Sequence, residues 1–311
     1  MPLFEGRRPG QAESDRKGRI SGGAGLMING VVVGYDGSKK GVQALDWAVE
    51  EARTRGVPLT VLHAWNVYVG GPVAVPVVDL QALGQETLDE GVEHVRKAAP
   101  ELSVRGVLAR GPAAAELIEA GRSADLIVLG PRGLGGFAGL VLGSVSAQVA
   151  AHAACPVVIV RGDLDTGPGR VVVGVDGSAA SRSALELAFA EADAGGHSVH
   201  AVTAWESVPV KGLPPLADED GMRAAAEARQ ARLMIPMRER HPGVDVRTEV
   251  LTGSPREVLL AASADARLLV VGSRGLGGFR GLLLGSVSQA LVEHASCPVA
   301  VVHEPRPDQD A

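Results

Sequence analysis

Gly130-Pro131-Arg132-Gly133, nine further residues, and then Gly143-Ser144-Val145-Ser146 form a pattern that the chain repeats. It returns as Gly272-Ser273-Arg274-Gly275, nine residues, and Gly285-Ser286-Val287-Ser288. A glycine pair permits positive φ and close backbone approach to a ligand. A Gly-Ser step opening a helix offers an anion free N–H groups and the positive end of the helix dipole. Ser144, Ser146, Ser286 and Ser288 add hydroxyl donors, so the chemistry on offer is that of a cradle for a nucleotide's phosphates. For one such loop alone the plainer reading is a tight turn after a strand. Identical spacing in two copies, with the same Gly-Leu-Gly-Gly-Phe flank at Gly133 to Phe137 and Gly275 to Phe279, favours phosphate.

Two common nucleotide sites are excluded. No Gly-Lys-Ser/Thr follows the glycines, and Gly34-Tyr35-Asp36-Gly37 lacks the Gly-x-Gly-x-x-Gly spacing of a dinucleotide site. Asp36 and Asp176 close the first strand of each half. There they would accept from ribose hydroxyls or hold magnesium, a hard cation that prefers carboxylate oxygen; the alternative is an aspartate that only caps a helix. Arg132 and Arg274 pair with phosphate or stay solvated. His63 has Thr203 as its counterpart, so it serves no role common to both halves, and His152 and His294 are expected to cap or pack the last helices. No Ser-His-Asp, paired-carboxylate or Cys/His metal constellation stands out.

The elements that must position these residues are themselves duplicated. Val31-Val32-Val33-Gly34-Tyr35-Asp36-Gly37-Ser38 returns as Val171-Val172-Val173-Gly174-Val175-Asp176-Gly177-Ser178, about 140 residues later. His152-Ala153-Ala154-Cys155-Pro156-Val157 matches His294-Ala295-Ser296-Cys297-Pro298-Val299. A period this long means duplicated domains rather than a solenoid. In the first half, strands are expected at Val31 to Tyr35, Leu59 to Trp65, Leu102 to Leu108, Leu126 to Leu129 and Val157 to Val160. Helical segments separate them, around Asp79 to Ala98, Ala113 to Ser123 and Ser144 to His152. This order implies an α/β fold: two tandem doubly wound, Rossmann-like domains, each a parallel sheet with helices on both faces. Pro236 falls inside the second half's long helix and predicts a kink or a split. Residues 1–27 read as a disordered leader, 28–162 and 170–304 as the domains, 163–169 as the linker and 305–311 as a tail. Met27, just before the first strand, is an alternative start.

The chain has 311 residues, enough for two domains, with 46% hydrophobic and 21% charged residues. Thirty basic against 36 acidic residues give a net charge of -6 without long runs of either sign, so nothing points to nucleic acid or a membrane surface. No apolar run approaches the roughly 18 residues of a membrane helix, and the cytoplasm is the default location. Cys155 and Cys297, the only two cysteines, read as small buried hydrophobes.

The ordered motifs, Val-Gly-x-Asp-Gly-Ser, Gly-x2-Gly-x9-Gly-Ser and His-Ala-x-Cys-Pro-Val, each present twice, strongly resemble the universal stress protein family, in its tandem, ATP-binding branch. The resemblance implies a five-stranded sheet per domain and ATP held with Mg2+ in each. Asp36 and Asp176 would lie by the nucleotide, with Gly130, Gly133, Gly143 and Ser144, and Gly272, Gly275, Gly285 and Ser286, cradling phosphates. Backbone around Ala64 and Ala204 would face adenine. It also implies an internal pseudo-dimer joined through Val157 to Val160 and Val299 to Val302, able to form a homodimer. Pro131, where the second half has Ser273, removes one N–H and makes the sites unequal, unless the missing donor faces away from the phosphates.

Three functions follow: a stress-response regulator that holds ATP and hydrolyses it slowly or not at all, an ATP-hydrolysing or nucleotidyl-transfer enzyme of the same fold, and an interaction module without nucleotide. The absence of an evident general base or nucleophile beside the phosphate loops favours the first.

Overall fold

The computed structural model describes residues 28–66, 79–134, 141–162, 169–206, 219–277 and 284–304. The first half runs β1 (Val31–Gly34), α1 (Lys39–Arg55), β2 (Leu59–Trp65), α2 (Leu80–Ala98), β3 (Val104–Arg110), α3 (Ala113–Ala120), β4 (Leu126–Leu129), α4 (Ser144–His152) and β5 (Val157–Ile159). The second half copies it as β6 (Arg170–Gly174), α5 (Ala179–Gly195), β7 (Ser198–Trp205), α6 (Glu219–Arg240), β8 (Val246–Thr252), α7 (Pro255–Ala262), β9 (Leu268–Gly272), α8 (Ser286–His294) and β10 (Val299–Val302). The leader, most of the linker and the tail lie outside the described residues, as does the segment 67–78.

All strands join one ten-stranded sheet in the order β3-β2-β1-β4-β5-β10-β9-β6-β7-β8. Pairing within each half is parallel, and the halves meet where β10 runs antiparallel to β5, with Val301 opposite Val157 and Val299 opposite Ile159. Each last strand thereby covers the apolar edge of the other. The central strands are buried on both faces, which is why Val31, Val32 and Val33 form an uninterrupted apolar run. One face of the sheet packs α1, α2, α5 and α6 through residues such as Leu45, Leu88, Phe189 and Met234. The other packs α3, α4, α7 and α8 through Leu117, Val149, Leu259 and Leu291.

Several boundaries differ from the sequence reading by one to three residues, two of them for a visible reason. β3 begins at Val104 because Leu102 first closes a turn, its N–H donating to Ala99 O at 3.1 Å. α3 stops at Ala120 because Gly121 caps it and a turn through Ala124 follows. Of the kink or split expected at Pro236, the split does not occur: α6 continues from Glu219 to Arg240. Proline costs it one backbone bond, while Met234 and Met237, both buried, pin the turns on either side to the core.

α1 and α5 meet across the seam. There Arg55 donates to Glu51 of its own helix and to Glu191 of the other half; both carboxyl groups are buried.

Candidate functional site

In each half the strand order reverses between the first and fourth strands, the place where open α/β sheets bind ligands beyond the carboxyl ends of their strands. Two loops emerge there side by side: Tyr35 to Ser38 after β1, and the glycine loop after β4. The first turns on Gly37, whose φ of 82° suits glycine alone, and Gly177 matches it at 87°. Ser38 then caps α1, its Oγ accepting from Gly41 N at 3.0 Å, and Ser178 does the same for Ser181 in α5. Asp36 is therefore not the helix cap. Its Oδ1 accepts from Ser38 N at 3.1 Å and its Oδ2 reaches across to the glycine loop, accepting from Leu134 N at 2.8 Å. Asp176 holds Ser178 N and Leu276 N at 2.8 and 2.9 Å.

This tie explains the glycines. Neither Gly130 nor Gly133 takes a positive φ, contrary to the sequence expectation. What requires them is close approach. A Cβ on Gly133 would clash with Asp36 Oδ2, one on Gly275 would lie 2.5 Å from Asp176 Oδ2, and one on Gly130 would lie 2.9 Å from Lys40 O. The loop closes as Gly143 N donates to Pro131 O at 2.7 Å, mirrored by Gly285 N to Ser273 O at 2.8 Å. α4 and α8 then start without a side-chain cap, so their first-turn N–H groups face the crevice.

Two assignments are corrected by these contacts. The hydroxyls of Ser146 and Ser288 are buried and donate to Gly130 O and Gly272 O, both at 2.7 Å, so they brace the loop rather than offer protons to an anion. Pro131 does not weaken the cradle either. The equivalent N–H of Ser273 donates to Val302 O at 2.7 Å, so the missing donor belongs to the strand end and points away from the crevice.

In the first half these groups enclose a cavity of about 460 Å³. Gly34, Asp36, Ala64, Gly130, Arg132, Gly133, Gly143, Ser144, Val145 and Ser146 all line it. Gly37 and Ser38 are not among its lining residues. The sequence reading missed the opposite wall, made by Leu62, Ala113, Leu117 and Leu129. These residues were legible only as core, although Ala113 and Leu117 open a helix directly after the carboxyl end of β3. The cavity thus has a polar end, at the uncapped helix, and an apolar end, at Ala64 and Leu117. His63 lines it as well; its Nδ1 donates to Tyr35 O at 2.8 Å, which leaves Nε2 without a proton in the neutral ring. Burial, then Glu90 and Asp36, raise the Tyr35 phenol above its ordinary pKa.

The second half builds the same frame from Gly174, Asp176, Gly177, Ser178, Gly272, Arg274, Gly275, Gly285, Ser286, Val287 and Ser288, with Ala204 near the end of β7. Among the described residues no group of three or more His, Cys, Asp or Glu could hold a metal ion, and no helix is long and apolar enough to cross a membrane. His152 Nδ1 donates to Gln148 O at 2.8 Å, within its own helix. Cys155 and Cys297 are buried free thiols.

Comparison with known proteins decides the family. The profile of the universal stress protein family matches residues 27–161 and again 168–303. The chain belongs to that family. Among universal stress proteins it is 37% identical over 290 residues to Rv2005c of Mycobacterium tuberculosis, spanning 89% of this chain and 97% of that one. It is 34% identical over 287 residues to Rv2623 of the same organism, spanning 88% and 96%. A crystal structure of a universal stress protein from Archaeoglobus fulgidus superposes with a TM-score of 0.68 at 23% identity, covering 88% of this chain and 98% of its own, a likeness of fold. Both halves thus carry the universal stress protein fold in tandem.

Proposed function

We propose that each half binds ATP, triphosphate on the uncapped helix and base at the apolar wall, and that the chain is a cytoplasmic stress-response regulator which hydrolyses the nucleotide slowly or not at all. The observation that carries the reading is the pairing, in one cavity, of an uncapped nine-residue helix with a glycine loop tied down by an aspartate. Such a helix end leaves N–H groups and a positive dipole in want of an anion. At about 460 Å³ the cavity has the size of a small-molecule site.

The residues fit the phosphates, since Gly130, Gly133, Gly143 and Ser144 line the cavity, and a side chain at Gly130 or Gly133 would run into Lys40 O or Asp36 and push the loop out of place. They also fit magnesium of a particular kind. Among the described residues Asp36 is the one carboxylate lining the cavity, and both its oxygens already accept N–H bonds, so these residues could supply one ligand at most. Magnesium commonly takes its remaining ligands from phosphate and water. When bound, Mg-ATP supplies the anionic charge that the helix ends and Arg132 meet. The chain's own part is to orient: Asp36 fixes the loop, Ser146 fixes its base, and Leu117 and Ala64 shield the apolar end from water. His63, which lines the cavity, has its Nδ1 held by Tyr35 O. That arrangement favours holding nucleotide over consuming it.

Native mass analysis of the purified protein tests this. Adenine nucleotide is expected to co-purify and to raise Tm when added with magnesium; a nucleotide-free protein indifferent to Mg-ATP would end the proposal.

A further inference from the structure

Residues 161 and 303 stand six places after Cys155 and Cys297, one residue beyond the equivalent last-strand segments, and each crosses the seam between the halves. Arg161 Nη1 donates to Val292 O at 2.5 Å and its Nε to Ala295 O at 3.3 Å, both at the C-terminal end of α8. His303 Nε2 donates to Ala150 O at 2.9 Å, at the C-terminal end of α4. The two contacts are reciprocal. We propose that Arg161 and His303 are positioning residues for the nucleotide site of the opposite half, each holding by its tail the helix whose head forms the other half's phosphate floor.

The argument is mechanical and electrostatic. α4 and α8 are nine residues each, about 13 Å of hydrogen-bonded rod, so a displacement at one end is passed to the other. Their last carbonyls have no partner within the helix and form the negative pole of its dipole, where a guanidinium is favourable and an imidazole donor satisfies a carbonyl. Removing the donor frees the tail and loosens the head, where Ser286 or Ser144 opens the helix.

Burial first, and then the nearby Arg132 guanidinium, pull the Arg161 pKa down, while Glu293 of α8 pulls it up. The proposal deepens the nucleotide reading and rests on it for its ligand, but the crossed grip on the helices stands apart from any ligand.

The test uses full-length protein with one site disabled at a time, by Gly133→Val in the first half or Gly275→Val in the second, titrated with Mg-ATP. Arg161→Met is expected to weaken binding in the second half by roughly threefold or more and to leave the first within about twofold; His303→Leu should do the reverse. Arg161→Lys should recover most of the loss, which a general packing defect would not allow. In parallel, amide hydrogen exchange without nucleotide should quicken in α8 for Arg161→Met and in α4 for His303→Leu. Equal effects on both halves, no change in exchange at the opposite helix, or failure of the lysine variant to restore would each overturn the proposal. If wild type bound no nucleotide while the crossed exchange pattern held, the nucleotide reading would fall and the positioning role would stand.

Discussion

Leu134 donates its backbone N–H to Asp36 Oδ2 at 2.8 Å, binding the glycine loop to the turn after the first strand, and Leu276 repeats the contact with Asp176 at 2.9 Å. The aspartate thus shapes the glycine loop by itself, without a ligand. Hydrogen bonds to a charged acceptor contribute about 1.5–3 kcal/mol each. Asp36→Ala is therefore expected to lower Mg-ATP affinity in the first half by roughly ten- to a hundredfold and to leave the second half unchanged. Gly133→Ala should act in the same way, because its Cβ meets the same oxygen, whereas Gly143→Ala, whose Cβ would stand 3.3 Å from Arg132 Cα, should be the milder of the two. Calorimetric titration of the three variants gives the ranking.

Pro131→Ser supplies the N–H that Ser273 uses on Val302 O, and so restores a strand-end bond beside Val160. It is expected to raise stability by about 0.5–1.5 kcal/mol and to leave Mg-ATP affinity within about twofold. A large gain in affinity would mean that the donor faces the ligand. Denaturant melts and one titration measure both.

How much of this was legible in the chain follows from range. The strands were readable because Val31 to Val33 and Leu126 to Leu129 are buried on both faces and so are apolar throughout, and the start of α2 because Asp79 is a capping residue. The paired glycine loops were readable because close approach demands glycine whatever the surroundings. The tie from Asp36 to Leu134 was not, since any residue's N–H serves and only its position across 98 residues matters. The contacts of Arg161 and His303 were hidden for the same reason: their acceptors are carbonyls, which carry no side-chain signature. Ser146 misled because a hydroxyl's type does not reveal its direction.

Glu191 is buried at the seam, and its carboxyl is pushed up to about 8, first by burial and then by Glu51, against the pull of Arg55. A glutamate in the unfolded chain titrates near ~4.3. Between these values the folded protein keeps a proton that the unfolded chain has released. This contribution to stability is therefore full below ~4.3 and is lost as pH rises through about 8. Thermal melts at pH 6 and pH 9 should show a smaller fall for Glu191→Gln than for wild type, by a few degrees. Parallel curves for the two proteins would contradict this.

Burial pushes the Cys155 thiol up to about 12 and the Cys297 thiol up to about 11. Thiolate is the reactive form, so neither should react with iodoacetamide at neutral pH in the native state, and both should react on unfolding. Mass measurement before and after denaturation reads this directly.

The central claim, two nucleotide sites built on the same tie, is tested most directly by calorimetric titration of Mg-ATP into wild type, Asp36→Ala, Asp176→Ala and the double variant. The account predicts two sites in wild type, a single high-affinity site in each single variant and none in the double. Wild type that takes up no nucleotide, or a double variant that binds as wild type does, would contradict it.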